Sequence, residues 1–284
     1  MLHARTPSTS WSRASADDKL IGVAGARRGT ASAPLTTRDD PARRSTVCTP
    51  EDFLGKAMAA RSSAARARWA RQGLAACAPL DKTTQAMLLR QLYLSHYEAR
   101  RFRSAHAVAL QALELDVLSD VLHQDAARAA LGEGDVKAAL SHLRRAARRA
   151  PASRRAFHFW TLGSALFLLH RYAEAAAVLA RAVRWGTHDK PLYRAHLALI
   201  RVASGEHVED LQATIDDLAS APCGQGYGRF VLGHLAYATR QWAAARRYLH
   251  AFVRRTEGAR PDLAIALDGE VRMARATIAK MAAN

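Results

Sequence analysis

FWTLGSALFLLHRYAEAAAVLARAV, running from Phe159 to Val183, decides the fold. Its apolar residues recur at helical spacing on either side of His170 and Arg171, so it reads as two short helices folded back on each other. Small residues (Gly163, Ala175, Ala182) stand where the two helices must touch, and large ones (Leu162, Leu166, Leu179) stand beside them.

Working outward, the small residue of the second helix recurs at Ala105, Ala139, Ala175, Leu211, Ala245 and Ala274, with gaps of 34, 36, 36, 34 and 29 residues. Four residues on stand Ala109, Leu143, Leu179, Ile215, Leu249 and Ile278; three further stand Ala112, Ala146, Ala182, Leu218, Phe252 and Met281. One helix face is thus written six times. The first helices carry Phe159, Leu162, Gly163 and Leu166, echoed by Leu232, Gly233 and Ala236. Turns fall at Phe102, at Gly134 to Val136, at Tyr172, at Gly205 and at Trp242, and Pro151 closes the second unit. In the fourth unit Leu211 replaces the small residue.

A helix hairpin cannot bury its apolar face alone, so a unit recurring every 34 residues or so means stacked hairpins sharing one core. Ala and Leu dominate while Gly and Pro are few, which favours helix over sheet. The expected class is all-α. The units resemble tetratricopeptide repeats, and that resemblance implies a right-handed superhelical solenoid of antiparallel helix hairpins. It covers residues 86–258 as about five units. Capping helices over 51–85 precede them and a truncated capping unit over 259–284 follows. Thr49 and Pro50 open the first helix, with Glu51 and Asp52 against its N-terminal dipole.

Residues 1–50 mix Ser, Thr, Arg, Pro and Asp without periodicity and are expected to be a disordered basic tail. A start of translation downstream, near Met58, competes with that reading. Gly22, Gly25 and Gly29 lack the lysine of a phosphate loop, and Arg43 and Arg44 lead to Pro50 rather than to the apolar core of an export signal.

A net charge of +17 suits an acidic protein, nucleic acid or an anionic surface. The excess of Arg over Lys, together with abundant Ala, is also what GC-rich codons produce, and net charge speaks to association rather than to fold. Cys48, Cys77 and Cys223 are odd in number and form no CxxC pair, which fits a reducing, cytoplasmic setting. No run reaches the ~18 apolar residues of a membrane span.

The twelve histidines form no HExxH motif, and Gly224 to Gly228 has neither a preceding strand nor a following lysine. Cys223 beside it is a candidate reactive thiol at a helix N-terminus. The expectation is a non-enzymatic protein with no cofactor and no metal.

In the family that the units resemble, first helices line a concave groove that takes peptides. The resemblance implies a groove made by Arg90, Gln91, Leu94 and Tyr97; by Gln124, Asp125 and Arg128; by Phe157, Trp160, Ser164 and Phe167; and by Tyr227, Phe230, His234 and Tyr237. The competing account of these aromatics is packing between repeats. The family's clamp for chaperone C-termini does not carry over, because Leu94 stands where an asparagine is wanted and Asp125 adds a negative charge. The implied partner is a peptide or helix segment of another protein. The alternative, a nucleic acid, rests on the net charge and on the run Arg144, Arg145, Arg148, Arg149, Arg154 and Arg155, which reads equally as a solvated outer face.

Overall fold

The computed structural model describes residues 48–76 and 79–283. The readings of residues 1–47 and of Cys77 lie outside them. The described residues hold fourteen α-helices and no strand, the helices packing consecutively in adjacent pairs as a helical repeat solenoid.

Two helices precede the repeats, α1 (Pro50–Ala59) and α2 (Ser63–Leu74). Thr49 and Asp52 form a capping box at the start of α1, each side chain accepting from the other's backbone N–H at 3.3 and 2.9 Å. Then come the pairs α3 (Lys82–Glu98) with α4 (Phe102–Leu113), and α5 (Ser119–Glu133) with α6 (Val136–Arg149). The next are α7 (Ala152–Leu168) with α8 (Tyr172–Trp185), α9 (Lys190–Ala203) with α10 (Leu211–Ser220), and α11 (Gly228–Ala238) with α12 (Trp242–Glu257). A short α13 (Pro261–Ala266) and α14 (Asp268–Ala282) complete the chain.

One turn recurs in all five pairs. The chain enters the left-handed region at Arg100, Gly134, His170, Gly205 and Arg240, with φ of 53, 82, 58, 83 and 61°. The next residue's N–H then reaches back to the carbonyl five residues earlier: Arg101 to His96, Asp135 to Ala130, Arg171 to Leu166, Glu206 to Arg201 and Gln241 to Ala236, at 2.8–2.9 Å. This Schellman closure satisfies carbonyls that the ending helix would leave bare.

In four pairs the second helix starts two residues after that turn. In the fourth pair α10 waits until Leu211, behind a second left-handed residue at Asp210 (φ 49°). Leu211 is therefore the first residue of its helix, whereas Ala105 and Ala175 lie one turn in, and it is only partly buried. Ile215 and Leu218 still bury. Of the six-fold face read from sequence, only Leu211 and Ile278 are not buried.

Gly163 of α7 crosses α8 beneath Leu179, where an added Cβ would coincide with a Leu179 methyl group. Gly233 of α11 meets Leu249 of α12 in the same way, with 2.5 Å from the would-be Cβ to the nearest leucine methyl. Leu179 and Leu249 are fully buried, so a larger residue at either glycine has to displace a leucine methyl within a packed interior. Gly163→Leu should overpack this crossing and cost about 1–3 kcal/mol. A thermal melt checks it, and an unchanged midpoint would mean that the crossing is not close-packed.

Candidate functional site

The first helices α3, α5, α7, α9 and α11 carry nearly all of the candidate residues, and their neighbours in space lie about one repeat away in sequence. Arg90 Nε on α3 donates to Asp125 Oδ2 on α5 at 2.7 Å, both side chains buried. Asp120 on α5 accepts two bonds from Arg154 at 2.8 and 2.9 Å, and its Oδ2 lies 3.0 Å from His158 Nε2 on α7. Trp160 Nε1 on α7 donates to His196 Nδ1 on α9 at 3.2 Å. Tyr227, just before α11, donates its hydroxyl proton to Glu270 Oε1 on α14 at 3.2 Å, and also meets Ser164.

The links among α3, α5, α7 and α9 form a ladder of polar contacts joining first helix to first helix, and the Tyr227–Glu270 bond reaches α14 instead. The atoms so bonded offset part of the cost of burying these groups, while His158 Nδ1, Ser164 Oγ and His196 Nε2 are buried without a hydrogen-bond partner among the described residues. The separations of 35, 34, 38 and 36 residues are the repeat period, so polar residues one period apart on the first-helix face were the available signal. Asp120, His158, His196 and Glu270 were missed by the sequence reading. Asp125, read there as an obstructing charge, is the counter-ion of Arg90.

The candidates divide by burial. Arg90, Gln91, Tyr97, Gln124, Asp125, Ser164, Phe167, Tyr227, Phe230 and His234 are buried, Tyr97 in a cluster on which Ile265 of α13 also packs. Tyr93 and Tyr97 stack at 5.5 Å, Phe167 meets His196 edge-on at 5.4 Å, and Tyr227 meets Trp160 edge-on at 4.7 Å. Leu94, Arg128, Phe157, Trp160 and Tyr237 remain partly exposed. Phe157 and Trp160 lie side by side at 5.8 Å, held from below by the His196 and Tyr227 contacts of Trp160.

The C-terminal elements reach this face. α14 packs on α11 and α12, and Gly269 at its start lies against the end of α7, with 3.1 Å from an added Cβ to Leu168 Cδ1. α13 packs on α3. The truncated last unit thus does more than close the array's end.

Electrostatics follow burial. His196 is pushed down to about 3 by burial, with His234 adding to the effect, and His234 to about 4 by burial. His123 falls to about 4 through burial, His142, whose Nδ1 lies 3.0 Å from its own, and the arginines of α6. Burial opposes ionisation of Asp120, but the bonds from His158 and Arg154 outweigh it and hold that carboxyl well below its ordinary range. Glu270 moves the other way: burial raises it to about 7.

The basic run is largely spent on neighbours. Arg144 faces Glu174 at 3.4 Å, Arg149 faces Asp116 at 3.0 Å, and Arg154 is the bidentate partner of Asp120. Arg155 donates to the Ala150 carbonyl and stacks over Trp185 at 4.7 Å. Arg145 and Arg148 line a cleft of about 440 Å³ with Asp116, Ser119, His123 and Arg149. Cys223 is buried, and its thiol is pushed up chiefly by that burial, which opposes formation of a thiolate. The reading of a reactive cysteine is corrected accordingly.

The tetratricopeptide repeat family model matches residues 130–200, from the end of α5 to the body of α9. No curated protein matches the chain. No helix among the described residues is long and apolar enough to cross a membrane.

Histidines held neutral to about pH 3–4 in the fold take up protons near pH 6.5 once unfolded, so their contribution is lost as pH falls below about 6.5. Glu270 acts oppositely: the fold holds its proton up to about pH 7 against 4.5 for the free group, so its contribution is lost as pH rises through 7. Glu270→Gln, which keeps an acceptor for Tyr227, should leave stability nearly unchanged at pH 5 and raise it on the order of 2–3 kcal/mol at pH 8. Denaturant titrations at the two pH values check this; equal effects at both would mean that Glu270 ionises normally.

Proposed function

We propose that this chain, which carries tetratricopeptide repeats over residues 130–200, is a non-enzymatic scaffold that holds a segment of another protein on the face of its first helices. The observation that carries the reading is the adjacent pair Phe157 and Trp160. Both are partly exposed, and the indole of Trp160 is fixed by the His196 hydrogen bond and the edge contact with Tyr227. Aromatic side chains that are rigid before binding lose little entropy on contact, which is what an anchoring pocket needs. Leu94, Arg128 and Tyr237 extend the same face towards the two ends of the array.

The nucleic-acid reading is weaker for a physical reason. A phosphate backbone is gripped by unpaired cations tracking along a groove. In the basic run of α6 and α7, Arg144, Arg149 and Arg154 already face carboxylates, and Arg155 lies over the Trp185 ring.

The test uses the full chain and a protein partner identified by co-purification with it. Phe157→Ala should weaken that complex tenfold or more, as truncating an anchor does. Trp185→Ala, on the exposed face of α8, should leave it unchanged. Raising salt from about 50 to 200 mM should alter affinity by less than about threefold, whereas a phosphate-driven complex would lose on the order of a thousandfold. Insensitivity to Phe157→Ala, or a steep salt dependence, would contradict the reading.

A further inference from the structure

Covering the open end of a repeat array requires only an amphipathic helix, and α14 supplies it by packing on α11 and α12. α13 has a different location. It is joined to α12 through Gly258, Ala259 and Arg260, and it lies against α3, the first helix of the first repeat. Ile265 packs on the buried cluster that includes Tyr93, Tyr97, Ala105 and Ala126, as Leu94 and Phe102 also do. Asp262 lies three residues earlier on the same side of the turn, largely covered, and its carboxylate acts on the Tyr97 hydroxyl. Asp125 acts on that hydroxyl in the same sense and Arg128 and Arg100 in the opposite one, while the Asp262 carboxylate faces Arg260 of its own segment at 3.6 Å. Leu263, on the other side of the turn, is 41% exposed.

This is the geometry in which a helical peptide docks: one face of a turn presents an acidic and an apolar residue to a groove, and the other faces water. The hold is slight. α13 has six residues, none fully buried, and begins at a proline. Helices of that length do not persist in water without tertiary contacts, and segments with few buried groups open first.

We propose that α13 is a built-in ligand, occupying at Leu94 and Tyr97 a docking surface for a partner's helical segment with an acidic residue and, three residues later, a branched aliphatic one. A partner segment binds by displacing it. The proposal rests on the reading of the first-helix face as the partner-binding surface, and it adds both the chemistry of the partner and its control. Tethering gives α13 an effective concentration in the millimolar range, so a weak contact suffices to keep the surface closed.

The probe is a fluorescent peptide with the sequence of residues 259–268, ARPDLAIALD, titrated into the full chain and read by anisotropy. The wild-type chain should bind it at least tenfold more weakly than a chain carrying Ile265→Ser, in which the internal anchor is lost. Ala264→Gly, which weakens the helix of α13, should act in the same direction. A peptide carrying Ile265→Ser, or an opened chain also carrying Leu94→Asp, should lose the interaction. If the opened chains melt cooperatively and bind the peptide no better than wild type, the proposal is overturned. It is equally overturned if neither opened chain folds, since α13 would then be part of the core. A peptide captured as described by chains whose protein partner ignores Phe157→Ala would leave the built-in ligand standing and remove only the scaffold reading. A partner that needs Phe157 while the opened chains ignore the peptide would do the reverse.

Discussion

The structure depends on a steric fit: a leucine of the second helix lies directly over a glycine of the first. Leu179 over Gly163 and Leu249 over Gly233 set how closely the helices of the third and fifth pairs approach. Neighbouring first helices also lie within reach of each other's side chains. Bonds such as Arg90 to Asp125 and Trp160 to His196 then span adjacent repeats at 2.7 and 3.2 Å. Packing provides the attraction, while the polar ladder fixes which residue faces which, because a buried polar group displaced from its partner is costly. The array then brings its last elements to its first, so that α13 meets α3.

The helices, their pairing and the buried face of each second helix were legible in the sequence because they repeat. A period of 34–36 residues is information added over several units, and the recurring left-handed turn at Arg100, Gly134, His170, Gly205 and Arg240 keeps the same beat. The start of α10 was not legible: a few extra loop residues move a helix without altering the average period, and Ile215 and Leu218 still find the core. The candidate site was legible only in part. Helical spacing places Arg90, Phe230 and Trp160 on first helices, but whether each meets solvent or the next repeat depends on neighbours a whole period away. The position of α13 was beyond such reading, since its contact with α3 joins segments far apart in the chain and follows from the curvature of everything between them.

Charge illustrates the same division. A net charge of +17 is a property of the whole chain, but its consequence depends on pairing. Arg154 is committed to Asp120 and Arg90 to Asp125, and these arginines serve the stacking of repeats rather than an outside anion. The surface left for recognition is smaller and more aromatic than composition implies. In the function proposed above it is centred on Phe157 and Trp160, which lie side by side at 5.8 Å.

The steric crossing can be tested by changing both of its members. In a double-mutant cycle, Gly163→Ala and Leu179→Ala are each made alone and together, and stability is measured by denaturant unfolding. Each single change should destabilise, the first by overpacking and the second by leaving a cavity. The double variant should be more stable than their sum by at least about 1 kcal/mol, because the smaller residue on α8 makes room for the methyl group on α7. Strict additivity would contradict the account, since it would mean that Gly163 and Leu179 do not share the space on which the stacking of the repeats depends.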